Sequence, residues 1–338
     1  MIAYKYRGGY TFDRDLGSIA GDYFYAAGLD KLNDPFEATY STVPIEGFIE
    51  FVELLVGRDP SLAGMKESLQ RVLSSIAKAG IFSLAARPDD LKLWSHYASN
   101  HTGFCVGYEV EKLEKFNSDA HYSNYKIQIE YSEQPATLDL ADITGRNTSS
   151  FLQKTIGTKH PEWAHEAETR IITDVAGPMP HDFRAIKTIH FGLHMPQEQM
   201  EAVMGRMQGR GIAYYKMHRT AAAYGLRAEP MADAFAGAPR YLYRVGPIGE
   251  NPFDTYAEGA EKQELLPYLH KAVEVQRRDP YCSEALYAER CIGQDRAGQI
   301  YVHYRYNDSY YNRYFTKDEI AALYAQITDL EAAANSVA

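Results

Sequence analysis

The spacing of apolar residues predicts two helices between Pro44 and Ala79. Apolar residues recur there every three or four positions, which is the spacing of one face of a helix. The turn-forming sequence Asp59-Pro60-Ser61 divides the segment. The two stripes consist of Phe48, Phe51, Val52 and Leu55, and of Leu69, Val72, Leu73 and Ile76. We therefore expect two consecutive amphipathic helices.

Elsewhere, short apolar or alternating runs bounded by Gly, Pro and Asn predict strands and a few further helices. The strands are predicted at residues 3–7, 23–26, 81–85, 103–110, 126–131, 168–173, 186–191, 212–217, 223–228, 285–292 and 299–306. The helices are predicted at residues 91–98, 138–156, 196–208 and 257–275, and from 316 onward. Strands outnumber helices, and no long alternation of strand and helix is present. The pattern favours an α+β fold over a doubly wound parallel sheet.

A stretch of small residues at 234–240 is the predicted domain boundary. It divides the chain into a larger domain, residues 1–233, and a small α+β C-terminal extension, residues 240–338. A chain of 338 residues is long enough for two such domains.

Composition and charge limit the class of protein. The 35 basic and 45 acidic residues give a net charge of −10. This charge argues against nucleic-acid binding over the whole surface and leaves a local basic groove open. No window approaches the roughly 18 consecutive apolar residues of a membrane span, and Met1 to Arg7 contain no apolar signal core. We expect a cytoplasmic protein with no membrane partner.

Cysteine and tyrosine usage adds two expectations. Three cysteines without a paired spacing fit neither a disulfide framework nor a zinc knuckle, and Cys105 lies in an apolar run that predicts burial. The 27 tyrosines supply ring faces for stacking. The same excess also suits half-exposed sheet edges.

The candidate chemistry centres on Glu166, Glu168 and Arg170. Residues two apart in a strand share a face, so a strand here projects all three side chains together. Two neighbouring carboxylates repel unless a cation is close, and Arg170 supplies that cation. The alternative is an exposed ladder of surface charges without a function.

A metal site is not predicted, although the chain contains 11 histidines. His160, Glu162 and His165 lack the His-Glu-x-x-His spacing, and Pro161 interrupts them. Glycine-rich nucleotide loops and a Gly-x-Ser-x-Gly elbow are absent from the sequence. A metal-assisted hydrolase or nuclease that uses His96 and the carboxylates remains an alternative.

Several sequence blocks, taken in order, resemble one family. They are Tyr4-Lys5-Tyr6-Arg7, Leu32-Asn33-Asp34-Pro35-Phe36-Glu37, Phe82-Ser83, Leu93-Trp94-Ser95-His96-Tyr97-Ala98, His101-Thr102-Gly103-Phe104-Cys105-Val106-Gly107, Trp163-Ala164-His165-Glu166-Ala167-Glu168-Thr169-Arg170 and Phe191-Gly192-Leu193-His194-Met195-Pro196. This order is similar to the bacterial domain-of-unknown-function family numbered 2971. The resemblance covers about residues 1–228, and the family name itself implies no chemistry.

The order Arg7, Ser83, Glu166-x-Glu168 also resembles the triad of arginine-type ADP-ribosyltransferases. That resemblance implies a largely antiparallel β core of ADP-ribosyltransferase type with inserted helices, and NAD as substrate. It implies that Arg7 binds the NAD phosphates and that Ser83 braces the nicotinamide ribose. It also implies that Glu168 hydrogen-bonds the ribose 2′-hydroxyl and that Glu166 acts on the acceptor. The chemistry suits these residue types, because Arg binds phosphate bidentately and a carboxylate stabilises a developing oxocarbenium ion.

This sequence departs from the triad, since Leu84-Ala85 follows Ser83 in place of Thr-Ser. Tyr97 is an alternative to Ser83 for the middle position of the triad, because some transferases have His and Tyr in place of Arg and Ser. The nicotinamide ring is then expected to stack on Tyr4, Tyr6 or Tyr97.

Two further blocks carry secondary expectations. Trp94 and His96 are candidates for cofactor binding. In the alternative, Trp94 packs in the core and His96 is a hydrogen-bonded polar residue without a catalytic role. Asn33 and Asp34 are candidates for contacting substrate, or else a structural turn.

The extension holds a stretch of interleaved aromatic and basic residues from Tyr301 to Phe315. Tyr304 and Tyr306 there are candidates for stacking on unpaired bases, and the alternative is a hairpin with a tyrosine-rich face. If the first domain is a transferase, the extension selects its acceptor, a nucleic acid or a protein, or binds an inhibitory antitoxin. The transferase class implies a toxin or phage-defence effector, and the competing hypothesis is a non-catalytic binding module.

Overall fold

The computed structural model describes residues 1–57, 60–113, 124–139, 141–142, 148–239, 241, 245–253, 259–279, 282–306 and 309–327. The chain divides into two compact units at Pro239. The first unit carries the candidate site. The predicted identities of the two domains, a transferase-like core and a recognition extension, stay predictions.

Two five-stranded sheets form the first unit. Sheet A has the order β1-β5-β12-β13-β14, and sheet B has the order β11-β2-β4-β10-β6. The strands of sheet A are β1 (Ile2–Arg7), β5 (Phe104–Glu109), β12 (Ile186–Phe191), β13 (Ala213–Arg219) and β14 (Leu226–Met231). The strands of sheet B are β2 (Tyr23–Gly28), β4 (Gly80–Leu84), β6 (Tyr125–Gln128), β10 (Thr169–Thr173) and β11 (Gly177–Pro180). Two short pairs accompany them: β3 (Tyr40–Ser41) with β8 (Ala136–Thr137), and β7 (Glu130–Tyr131) with β9 (Thr158–Lys159).

Within sheets A and B, adjacent strands run antiparallel except for β12 and β13, which are parallel. The two sheets meet where β1 approaches β4. There, Tyr4 and Ala85 exchange two backbone hydrogen bonds of 2.8 and 2.7 Å. This junction brings the end of β1 next to the middle of sheet B.

The main core lies between the sheets and includes Phe24, Phe82, Phe104, Tyr108 and Ile171, all nearly inaccessible to solvent. Helices α1 (Phe12–Ala20) and α6 (Gln197–Arg206) contribute their apolar faces to it. Alternation along each strand explains the arrangement, because one face of each strand points into this layer.

Helices cover the outer faces of both sheets. A second core cluster joins sheet B to α2 (Val43–Val56), α3 (Pro60–Lys78) and α5 (Thr148–Ile156). A third cluster joins sheet A to α4 (Leu91–Tyr97), where Trp94 contacts Tyr6 edge to face at 5.3 Å. Helices inserted between the strands along the chain therefore cover the outer faces of the sheets.

The second unit has an antiparallel sheet of β15 (Glu284–Arg290), β16 (Ile300–Tyr306) and β17 (Ser309–Phe315). Helices α7 (Gly259–Gln276) and α8 (Lys317–Ala325) accompany it. Thr316 begins α8 with a capping box, accepting from the Glu319 amide while Glu319 accepts from the Thr316 amide.

The mixed α+β class with largely antiparallel sheets is confirmed. The helix pair at 44–79 is present as α2 and α3. Between the strands predicted at residues 3–7 and 23–26 no helix was predicted, and this was wrong, because α1 occupies Phe12–Ala20. Phe12, Leu16 and Ile19 do follow helical spacing in this run, but the helix is only nine residues long and this short signal was missed.

The helix predicted at residues 138–156 is present from Thr148 to Ile156. Residues 136–137 form a strand, and residues 140 and 143–147 lie outside the described residues. Cys105 is buried as predicted, and all three cysteines are free. In the part of the chain that is described, no helix is long and apolar enough to cross a membrane.

Candidate functional site

Five charged side chains form a buried network at the start of β10. They are Glu37, Lys159, Glu166, Glu168 and Arg170, and each side chain is at most 8% exposed. Charged residues are rarely this buried unless they are paired. We call this set the buried charge network.

Lys159 and Arg170 bridge the three carboxylates. The Lys159 ammonium donates to Glu166 Oε2 at 2.7 Å and to Glu168 Oε2 at 3.1 Å. The Arg170 guanidinium donates to Glu168 Oε1 at 2.8 Å and to Glu37 Oε1 at 2.6 Å. Arg170 also donates to the Ile156 carbonyl at 2.8 Å. Arg170 therefore ties together parts of the chain that are distant in sequence.

The Glu166–Glu168 arrangement differs from the sequence expectation. Glu166 ends a 3-10 helix (Pro161–Glu166), and β10 begins only at Thr169. Ala167 between them has a left-handed φ of 43°, which breaks the alternation of a strand. The two carboxylates nevertheless converge, because Lys159 lies between them. The prediction that strand geometry aligns Glu166 with Glu168 was wrong, and a turn does so.

The network holds Glu168 in its ionised form. Burial alone raises the pKa of this carboxyl, but Arg170, Lys159 and the nearby hydroxyl of Ser83 bring that pKa down to about 2. Burial lowers the pKa of the Lys159 ammonium, and the charges of Glu168 and Glu166 more than reverse this, so the pKa is raised. Opposite charges at hydrogen-bond distance outweigh desolvation here.

Tyr97 connects the network to the molecular surface. Its hydroxyl donates to Glu166 Oε1 at 2.9 Å, and its side chain is half-buried. Burial raises the pKa of Tyr97 to about 12, although the exposed Asn33 side chain near its hydroxyl acts in the opposite direction. Tyr97 is thus a neutral hydrogen-bond donor at neutral pH.

Helix α4, which ends at Tyr97, is anchored by two contacts with the segment that precedes it. Asp90 caps the start by accepting from the amides of Lys92 and Leu93 at 2.9 and 3.0 Å. The buried Trp94 donates from its indole to the Pro88 carbonyl at 2.7 Å. These contacts anchor a helix of only seven residues.

An unusual backbone turn follows α4. Ser99, Asn100 and His101 have consecutive left-handed φ values of 47°, 52° and 68°. Their strain is compensated by backbone bonds, including His101 to the Trp94 carbonyl at 3.1 Å. The turn leads into Gly103, where a Cβ would collide with the carbonyl oxygen of Arg7. Only glycine therefore allows β5 to pair with the end of β1.

Lys5 on β1 reaches the same region from sheet A. Its ammonium donates to the Ser83 carbonyl at 2.9 Å and lies 5.2 Å from the centre of the Phe82 ring. Burial and the charge of Arg7 together lower the pKa of Lys5 to about 8, although Glu168, Glu166 and Asp15 oppose the shift. Lys5 thus stands between a basic neighbour and the acidic side chains of the network.

Arg7 is buried on the same face of β1 as Lys5. Its guanidinium lies 3.5 Å from Asp15 and 5.8 Å from the centre of the Phe82 ring. Arg7 belongs to the triad resemblance, but no hydrogen bond or ion pair joins it to Ser83 or Glu168 in the described residues. Lys5 is the residue of β1 that contacts the Ser83 backbone.

The predicted ring-binding residues divide between two environments. Tyr6 and Trp94 are buried together in the third core cluster, and the Tyr6 hydroxyl donates to the Arg87 carbonyl at 2.7 Å. Tyr4 is half-buried and contacts the His190 ring edge to face at 5.7 Å. His96 is exposed beside Tyr97. Of these residues, Tyr97 alone is bonded to the network.

The remaining predicted site residues fall in different places. The Asn33 side chain lies beside the Tyr97 hydroxyl. The buried Asp34 instead accepts from the Phe36 amide at 2.9 Å in an Asx turn. Tyr304 and Tyr306 belong to the second unit, where Tyr304 is buried and Tyr306 is partly exposed. Only Tyr306 of these two offers accessible ring surface.

Sequence reasoning missed Lys5, Glu37 and Lys159. Lys5 and Glu37 lie inside the quoted blocks, yet nothing in their spacing marked them as partners of Glu168. Lys159 lies seven residues before Glu166, and only the pairing of β7 with β9 places it there. Among the described residues, no group of three or more His, Cys, Asp and Glu side chains is placed to hold a metal ion.

Comparison with known proteins gives one match. Residues 93–171 match the model of a family described as Protein of unknown function (DUF2971). The matched segment runs from α4 into β10 and contains Tyr97, Lys159, Glu166, Glu168 and Arg170. The match supports the resemblance to that family. No curated protein and no solved structure matches the chain.

Proposed function

We propose that the chain is an ADP-ribosyltransferase-like enzyme that cleaves the glycosidic bond between nicotinamide and ribose in NAD. The observation that carries the proposal is the convergence of Tyr97 and Glu166, whose hydroxyl and carboxylate are 2.9 Å apart, beside Ser83 and Glu168. These four residues come from α4, the segment before β10, and β4. The order of Arg, Ser and Glu-x-Glu along the sequence does not by itself bring these four side chains together.

Glu168 and Glu166 have complementary roles in this proposal. As the glycosidic bond breaks, positive charge develops on the ribose ring, and a buried ionised carboxylate stabilises it. Glu168 is held ionised by Arg170 and Lys159. Glu166 is hydrogen-bonded to Tyr97, which reaches the surface. It accepts a proton from the attacking hydroxyl of water or of a macromolecular acceptor.

Tyr97 and the basic residues of β1 bind the substrate. The Tyr97 ring offers a face for nicotinamide, with Asn33 at its edge. Lys5 and Arg7 supply positive charge for the diphosphate, and the charge of Lys5 is stabilised by Glu168 and Glu166. Release of a neutral nicotinamide leaves ADP-ribose on the acceptor.

The test is nicotinamide release from NAD by the purified full chain. Tyr97→Phe retains the ring and removes the hydroxyl, and we expect a loss in rate of about 10-fold or more. Glu166→Gln removes the proposed base and is expected to lose about 10²-fold. Glu162→Gln changes an exposed carboxylate of the same 3-10 helix and serves as the matched control with unchanged rate. Thermal melting of each variant separates lost chemistry from lost folding.

A second candidate, a non-catalytic binding module, is favoured by one observation. Both oxygens of Glu168 are engaged by Arg170 and Lys159, and its side chain is 4% exposed. Such a network has a structural role without any reaction. Absence of nicotinamide release with every acceptor, together with no shift of the melting temperature by NAD, would reject the enzyme in favour of this module.

A further inference from the structure

Helix α2 carries two separate apolar faces. Ile45 and Ile49 are buried against the second core cluster, where they pack with α5 and sheet B. The apolar residues of the other face remain 42–84% exposed. They are Val43, Phe48, Phe51, Leu54 and Leu55, which we call the α2 outer stripe.

From Phe48 onward, the α2 outer stripe is continuous along the helix. Phe48, Phe51 and Leu55 follow one another at spacings of three and four, and Leu54 lies beside Phe51. Isolated exposed apolar residues are common, but a contiguous group of large ones on one helix marks an interaction surface. The helix is anchored by its inner face, so the stripe is presented on a fixed support.

Acidic residues line one edge of the stripe. Glu46, Glu50 and Glu53 follow one another at spacings of four and three, and Glu50 lies one turn before Leu54. Glu46 accepts from the Thr42 hydroxyl at 2.6 Å, and Glu53 pairs with Lys66 at 2.7 Å. Among the described residues, the exposed Glu50 has no ion-pair partner. The edge nearest to Leu54 thus keeps an uncompensated negative charge.

We propose that the α2 outer stripe is the docking site for an amphipathic helix of another protein whose polar face is basic. An amphipathic helix buries its apolar positions against such a stripe. Basic residues beside those positions complement Glu50 and Glu46. Charge complementarity therefore fixes the chemistry of the partner as well as its shape.

Other occupants fit less well. If two copies of the chain pair through antiparallel α2 helices, each acidic edge meets the same edge of the other copy, and like charges repel. An anionic membrane surface is repelled by the same edge, since interfacial helices carry Lys and Arg there. A helix with basic flanks avoids both conflicts.

The test measures binding of synthetic helical peptides to the full chain. One peptide of about 18 residues has Leu at helical spacing and Lys at its other positions, and the comparison peptide has Glu in place of Lys. We expect the Leu/Lys peptide to bind and the Leu/Glu peptide not to bind. Phe51→Ser combined with Leu54→Ser should weaken binding at least about 10-fold. Ile292→Ser, an exposed apolar residue of the second unit, is the control with unchanged binding.

A charge reversal separates this site from general attraction to an acidic protein. Glu50→Lys should weaken the Leu/Lys peptide and strengthen the Leu/Glu peptide. Equal binding of the Leu/Lys peptide by all variants would overturn the proposal, because it would show attraction to the net charge of −10 alone. Self-association of the free chain that disappears in the Phe51→Ser, Leu54→Ser variant would assign the stripe to a second copy. Binding of neutral lipid vesicles that depends on the same residues would assign it to a membrane.

Discussion

The hydroxyl of Tyr97 donates a hydrogen bond of 2.9 Å to Glu166, a residue 69 positions later in the chain. This contact joins helix α4 on the outer face of sheet A to the buried charge network at sheet B. Tyr97 is half-exposed and Glu166 is buried, so the pair leads from the surface to the ionised carboxylates.

The coupling between Tyr97 and Glu166 is measurable in a double-mutant cycle. Tyr97→Phe and Glu166→Ala each remove one partner, and we expect an interaction free energy of about 1 kcal/mol, because a hydrogen bond to a charged acceptor is lost. Urea unfolding of the two single variants and the double variant provides the value. Strictly additive changes would show that the contact does not contribute to stability.

Arg170 should be among the most sensitive residues of the first unit. Its side chain is fully buried, and its loss leaves Glu37 and Glu168 without their closest cation. We expect Arg170→Met to lower the free energy of unfolding by about 3–5 kcal/mol. Arg87→Met, which breaks the pair of the exposed Arg87 with Asp89, should change it by less than about 1 kcal/mol. Similar losses for the two variants would contradict a special role for the buried pairing.

The stability of the chain should rise with pH above 8 through Lys5. Burial, reinforced by Arg7, lowers the folded-state pKa of Lys5 from 10.5 to about 8. Between these values the unfolded state binds more protons than the folded state, so the free energy of unfolding increases with pH. Lys5→Met should lack this contribution. Urea unfolding of both proteins across the window checks it, and parallel pH profiles would refute the assignment.

Two glycine substitutions should act in opposite directions. A Cβ at Gly103 would collide with the backbone oxygen of Arg7, which cannot move without disturbing β1. Gly103→Ala is therefore expected to cost about 2 kcal/mol or more. Gly47 lies inside α2 with open space around its Cα, so Gly47→Ala should stabilise by about 0.5–1 kcal/mol. Thermal melting of the two variants tests both signs.

The sequence predicted most strands and helices because their periodicity was strong, as at β4, β10 and α2. It failed at α1, a helix of only nine residues, although Phe12, Leu16 and Ile19 follow helical spacing there. The apolar spacing of Phe48, Phe51 and Leu55 indicated a helix, but not that these residues stay outside the core.

The candidate site was predictable only in part. Glu166, Glu168 and Arg170 carry a local signal, because two carboxylates and a cation lie within five positions. Lys159 and Glu37 carry no comparable local signal, since strand pairing and a turn bring them to the site. The left-handed Ala167 was also invisible, because alanine has no preference for that conformation.

The buried charge network draws on segments far outside residues 93–171, the part that matches a family model. Arg170 needs Glu37, and β10 pairs with β4, which spans Gly80–Leu84. A fragment cut to the matched segment would leave one edge of β10 unpaired. Arg170 would then lack Glu37, one of its two acidic partners. The matched segment is therefore a recurring sequence and not a self-sufficient folding unit. An expression boundary placed at its ends would separate Arg170 from Glu37 and β10 from β4.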